Sequence, residues 1–172
     1  MAELKYVLDT KFEKYLETFK NTSYDKENNE YLCEDESRLV YDFDKIKEDK
    51  YIKHPSSFDV LLIQDEKVFC VEFKNMKYSQ VNNKNVTKKL LCGKEILEDI
   101  LKENNVAKKD YKFFYCVAYS TKADRWKRGV LKNEIQFGLE AYKPEIFDDI
   151  FTNDVEFFKN EYKKIFKKDL EC

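Results

Sequence analysis

The chain has 172 residues with 32 Lys and Arg against 34 Asp and Glu, a net charge of -2. That length suits one domain with a sizeable core, and the near balance of charge excludes a globally basic nucleic-acid binder, so any basic footprint must be local. Charged residues make up 38% and aromatic residues 16%, which implies a solvated surface over a core of Phe and Tyr. No run of eighteen apolar residues offers a membrane span. The N-terminus lacks an apolar signal core, so nothing points to export.

Leu4, Val7, Leu8, Phe12, Tyr15, Leu16 and Phe19 recur at helical spacing and predict a helix over residues 3–20. Glu13 and Glu17 project away from its apolar stripe and read as a solvated face. Residues 21–36 are polar and form a loop with room for one short strand. Ser37 to Phe43 alternates as a first strand. Glu34, Asp35 and Glu36, just before it, read as a charged loop. Asp44 to Ser57 is a charged connection, and His54 beside Pro55 caps a loop rather than doing chemistry.

The organising stretch is Phe58 to Asn75, two apolar runs joined by Asp65-Glu66. Folded as a hairpin about that turn, Gln64 faces Lys67, Leu61 faces Cys70 and Asp59 faces Glu72. Alternation puts Asp59, Leu61, Ile63, Val68, Cys70, Glu72 and Lys74 on one face. Val60, Leu62, Phe69, Val71 and Phe73 make the other face wholly apolar, which argues for a central position in a sheet. Two carboxylates directly opposed in an apolar setting are destabilising unless something offsets their charge. A divalent cation held by oxygen ligands would do so. The competing reading has Lys74 bridging both acids as a salt-bridged sheet face.

Asp59, followed after twelve positions by Glu72-Phe73-Lys74, resembles the motif of the PD-(D/E)xK nuclease superfamily, which includes restriction-endonuclease-like enzymes. One departure is Phe58 directly before Asp59, with Pro55 further upstream. The resemblance implies an α/β fold with an αβββαβ core, a mixed central sheet flanked by helices, and C-terminal helices added to it, over residues 1–172. It implies a phosphodiester hydrolase, a magnesium-dependent endonuclease acting on nucleic acid, DNA ahead of RNA. Asp59 and Glu72, with the Phe73 backbone carbonyl, would hold Mg2+, for which Mn2+ can substitute. Lys74 would orient the attacking water and stabilise charge on the phosphate. The alternative from another class is a non-catalytic nucleic-acid-binding or protein-interaction module on the same fold.

Residues 75–85 are polar, and a helix follows near Val86 to Asn104 with Val86, Leu90, Leu97 and Leu101 inward. From 72 to 94 the chain carries six lysines against Glu72. Lys77, Lys84, Lys88 and Lys89 are therefore candidate phosphate contacts. Gln80 is followed by Lys84, so the Gln-x-x-x-Tyr motif of the RecB-like branch is missing. Lys112 to Tyr119 is a strong strand, and the crossover leading to it should be right-handed. Arg125, Trp126, Lys127 and Arg128 combine a stacking ring with phosphate-binding charge, although a Trp anchoring a surface loop fits equally well. In the tail, Val155, Phe158, Tyr162 and Phe166 mark a helix from about Asp154 to Lys168, with a further short element before it and Pro144 between. Both elements read as helices packed on the outer part of the core sheet; an exposed aromatic stripe there would instead serve a homodimer or a protein partner.

Cys33, Cys70, Cys92, Cys116 and Cys172 show no CxxC spacing, and one histidine makes zinc an unsuitable guest. An odd number of thiols, with Cys70 and Cys116 inside apolar runs, fits a cytoplasmic protein.

Overall fold

A computed structural model describes residues 3–121 and 134–172. Helix α1 (Leu4–Lys11) buries Leu4, Val7 and Leu8. It stops well short of residue 20. Phe12 leaves helical geometry, a 3-10 turn covers Glu13–Tyr15, and β1 (Leu16–Thr18) is extended. The apolar periodicity of this segment is real, but Leu16 to Thr18 pairs antiparallel with Tyr41 to Leu39, and tertiary pairing overrides local propensity. Thr18 then caps α2 (Phe19–Thr22), its hydroxyl accepting from the Asn21 amide.

β2 (Tyr24–Asp25) and β3 (Glu30–Tyr31) form a separate two-stranded hairpin. β4 (Leu39–Asp42) leads straight into α3 (Phe43–Lys50), capped by the Asp42 carboxylate accepting from the Lys45 amide. The sequence read as a charged connection here is thus helical. Phe43 and Ile46, three residues apart, are the only buried residues of this two-turn helix. β5 (Val60–Gln64) and β6 (Lys67–Lys74) are the expected hairpin in the expected register, with Leu61 opposite Cys70 and Gln64 opposite Lys67. Asp65 takes the turn with a φ of 54°, a left-handed conformation that Asp tolerates. α4 (Asn83–Glu103) is capped by Asn82 and crosses to β7 (Lys112–Tyr119).

The tail departs from an all-helical reading. β8 (Asp149–Asp154) precedes α5 (Val155–Phe166) and pairs in parallel with β7. Asp148 clamps its entry: its amide donates to the Phe113 carbonyl at 2.8 Å, and its carboxylate accepts from the Phe113 amide at 2.7 Å.

The sheet order is β1-β4-β5-β6-β7-β8, antiparallel up to β6 and parallel beyond it. The protein is α/β with a mixed six-stranded sheet. Parallel pairing of β6 and β7 needs a crossover, which α4 supplies. One face of the hairpin, with Leu61, Val68 and Cys70, packs under α1, α3 and α4. The other, with Val60, Leu62, Phe69, Val71 and Phe73, packs under Phe19 and α5. α4 lies close because residue 93 is glycine: a Cβ there would meet the Phe58 ring at 2.3 and 2.5 Å. Phe58 cannot easily yield, being fully buried and stacked on Phe43 with centroids 4.3 Å apart.

Cys33 and Cys172 are joined in a disulfide that ties the chain end to the segment after β3. The reading of unpaired thiols is corrected to this pair plus free Cys70, Cys92 and Cys116. The thiol count accordingly no longer supports a reducing compartment. No helix among the described residues is long and apolar enough to cross a membrane.

Candidate active site at the open end of the hairpin

Asp59 stands one residue before β5, and the pairing of Val60 with Val71 sets it against Glu72. Its backbone is held from both sides. The Asp59 amide donates to the Val71 carbonyl at 3.0 Å, and the Phe43 amide donates to the Asp59 carbonyl at 2.9 Å. The Phe73 amide donates to Asp59 Oδ2 at 2.6 Å. A strand residue's amide and carbonyl point to the same side. The Phe73 carbonyl therefore faces the space beyond the start of β5, beside both acids.

Glu72 is fully buried, and neither carboxylate oxygen has a hydrogen-bond partner. Two ammonium groups nevertheless reach Oε1 at ion-pair distance, Lys74 Nζ at 2.7 Å and Lys89 Nζ at 2.9 Å, off the line of a hydrogen bond. Lys89 also lies 3.2 Å from Asp59 Oδ1. Lys89, not Lys74, thus joins the two acids, while Lys74 donates to Asn85 Oδ1 at 2.9 Å. Burial above all, and then the Glu72 charge, pushes the Asp59 carboxyl well above its ordinary range, and the Lys89 charge only partly opposes this. Burial alone would lower the Lys89 ammonium, but the charges of Glu72 and Asp59 outweigh it and the net shift is upward.

The acids open onto a cleft of about 360 Å³, whose lining includes Lys74, Lys89 and the hairpin residues Asp25 and Lys26. A second cleft of about 470 Å³ continues past Asn75 and Met76 to Lys77 and Gln80. The β2–β3 hairpin contributes to both.

The basic stretch divides into three groups. Lys77, Lys84 and Lys88 are exposed and carry no ion pair among the described residues. Lys74 and Lys89 belong to the acid cluster, so Lys89 is not a solvent-facing phosphate contact in this state. Lys94 is in the core, 4% exposed, with Nζ 3.5 Å from the Phe113 ring centroid and no hydrogen-bond partner. Burial pushes its ammonium down to about 8. Arg125, Trp126, Lys127 and Arg128 lie outside the described residues.

Other acids prove structural. Glu17 accepts from the Thr18 amide at 2.9 Å and pairs with Lys45 at 3.4 Å. Asp35, 1% exposed, accepts from the amides of Ser37, Arg38 and Glu171 and from the Ser37 hydroxyl. His54 lies between Glu95 and Asp99, 3.4 Å from each. Sequence reasoning put Lys89 on a solvent-facing patch, although it sits three residues after buried Val86 and four before Gly93, on the inward stripe of α4.

No protein-family model, curated protein or solved structure matches the chain. The chemistry must be read from the cluster.

The cluster suits a hard cation. Its donors are two carboxylates and a backbone carbonyl, all oxygen, and magnesium uses one or two carboxylates and completes its shell with water. Glu72 Oε2, buried and unpartnered, is the donor that most needs a cation. No group of three or more His, Cys, Asp or Glu that could hold a metal occurs among the described residues, so water and substrate oxygens would fill the remaining positions.

Proposed function

We propose that this protein is a metal-dependent nuclease hydrolysing phosphodiester bonds in nucleic acid, DNA ahead of RNA, on a restriction-endonuclease-like core. The observation that carries the reading is the fully buried Glu72 with its unpartnered Oε2, set against Asp59 at the mouth of a lysine-lined cleft. Asp59, Glu72 and the Phe73 carbonyl would hold Mg2+ or Mn2+. Bound there, the metal supplies positive charge to the phosphoryl oxygen and acidifies the attacking water.

The chain's own residues do the rest. The Phe73 amide fixes the Asp59 carboxylate through Oδ2, leaving Oδ1 to accept from Lys89 Nζ. Lys74, anchored by Asn85, places an ammonium where charge develops on the phosphate, at the wall of the open cleft. Lys89 holds the two carboxylates together without metal and would have to yield its place between them to a bound cation. Exposed Lys77, Lys84 and Lys88 follow the phosphate backbone away from the site.

A second reading has one observation in its favour. Two ammonium groups already surround Glu72, which suits a nucleic-acid-binding module that needs neither metal nor catalysis. The test is incubation of the purified protein with plasmid, single-stranded DNA and RNA in magnesium, manganese or EDTA. Cleavage is expected with metal and not with EDTA. Glu72→Ala and Lys74→Ala should each abolish it while melting stays cooperative. Full cleavage by either variant, or none by the wild type on any substrate, overturns the nuclease assignment.

A further inference from the structure

The β2–β3 hairpin belongs to neither core. Its ladder has two pairs, Tyr24 with Tyr31 and Asp25 with Glu30, and so short a ribbon does not hold itself together in water. Polar contacts fix it instead. Asp25 accepts from the Glu27 amide at 2.9 Å and from Asn28 Nδ2 at 2.6 Å, closing the turn. At its base, Ser23 Oγ donates to the Cys33 carbonyl and accepts from the Cys33 amide, both at 3.0 Å. None of these polar contacts involves an aromatic ring.

The hairpin nevertheless carries two. The Tyr24 and Tyr31 rings lie 4.9 Å apart, tilted by 35°, and both residues are exposed, 37% and 39%. Tyr24 OH is tied to Asn29 Oδ1 at 2.8 Å, and Lys20 Nζ lies 5.2 Å from the Tyr31 centroid, so both rings are held in place. Tyr24 lines the same cleft as Asp59, Glu72, Lys74 and Lys89. A fixed aromatic pair beside a cleft that presents Lys26, Lys74 and Lys89 matches the two halves of a nucleotide: a π face for the base and positive charge for its phosphate.

We infer that Tyr24 and Tyr31 form a stacking platform for an unpaired nucleobase next to the scissile phosphate, so that the substrate is single-stranded or locally opened nucleic acid. The inference rests on the nuclease reading for the position of the phosphate. Inside a duplex both faces of a base are covered by its neighbours, and only an unpaired base can present one to the platform. Lys26, on the same hairpin and lining the same cleft, is placed for a flanking phosphate.

The test is fluorescence anisotropy in EDTA with a labelled short DNA single strand and the matching duplex. Tyr24→Ala and Tyr31→Ala should each weaken single-strand binding by roughly 5- to 150-fold, the effect of removing one stacked base. Tyr24→Phe and Tyr31→Phe should restore it, and duplex affinity should not change. Alanine variants that bind the single strand as the wild type does, or that lose duplex affinity in parallel, overturn the platform. So does a wild type that fails to bind the single strand. Cleavage of the same strand in manganese is scored separately. Tyrosine-dependent binding without cleavage keeps the platform and removes the nuclease, whereas cleavage with tyrosine-independent binding does the reverse.

Discussion

Lys89→Met removes the ammonium that joins Asp59 to Glu72 and keeps the length of the side chain. At 3.2 and 2.9 Å each attraction is about 5 kcal/mol for an effective dielectric near 20, before desolvation is subtracted. The three side chains are 19%, 14% and 0% exposed, so most of that desolvation is already incurred in the folded protein. Removing one partner of such a cluster leaves uncompensated buried charge, at a cost of about 3 kcal/mol, the low end for a buried pair. For a chain of this size that lowers the melting temperature by roughly 6–12 °C. In EDTA the variant should melt that much earlier than the wild type. In manganese it should recover more than the wild type gains, because no ammonium has to be displaced. The wild-type gain at a hundredfold excess over the dissociation constant is about 2.7 kcal/mol. Asp59→Asn should lose most of the metal response. Thermal melts in EDTA and across a manganese titration check all three. A Lys89→Met protein that melts with the wild type in EDTA refutes the ion-pair arrangement. One that melts early but ignores manganese refutes the metal site.

The Asp59 carboxyl is raised above its ordinary value of 3.8, so the folded state keeps a proton that the unfolded chain has already released. Metal-free stability should therefore fall as pH rises from about 4 through the raised value, and Asp59→Asn should flatten that slope in urea unfolding. Lys94, pushed down to about 8 from 10.5, has the opposite sign. Wild-type stability should rise between those two values, and Lys94→Met should be more stable at pH 7 by about 1–2 kcal/mol, with the advantage shrinking toward pH 10.5. Reducing the Cys33–Cys172 bond, which spans 139 positions, should destabilise the protein by up to about 5 kcal/mol in melts with and without dithiothreitol. Changing Lys77, Lys84 and Lys88 together to alanine should flatten the slope of log affinity against log salt by up to about 2.7, near 0.9 for each duplex phosphate no longer neutralised.

The parts of this chain legible in the sequence are those where one signal stands unopposed. The two runs of 58–75 on either side of Asp65-Glu66 and the run at 112–119 are largely apolar and bounded by polar turns, and the strands lie within them at 60–64, 67–74 and 112–119. The opposition of Asp59 and Glu72 follows from counting outward from Asp65-Glu66. Elements failed to show where a distant partner decides. Leu16 to Thr18 is helical by periodicity and becomes a strand only because β4 lies beside it. Asp149 to Asp154 is short and two-thirds polar, and its strand depends on β7 and the Asp148 clamp. Lys89 and Lys94 were open to a closer reading. Each lies on the stripe marked by Val86, Leu90 and Leu97, where a cation must find a carboxylate or an aromatic face. The sequence alone does not say which, because the partners come from β6 and from Phe113.

Gly93 stands one helical turn beyond Lys89, and its missing Cβ is what lets Phe58 lie against the helix. Phe58 is in turn the residue covalently next to Asp59. A methyl group at 93 would fall 2.3 Å from a ring carbon that is wedged against Phe43, well inside ordinary contact of 3.4–4 Å. Helix and strand would have to part by about the missing ångström, a large share of the 2.9 Å that now separates ammonium from carboxylate. Residue 93 thus acts as a gauge block. An uncharged position outside the cleft lining sets how firmly the acids are clasped, and substitutions there would retune the site through distance alone.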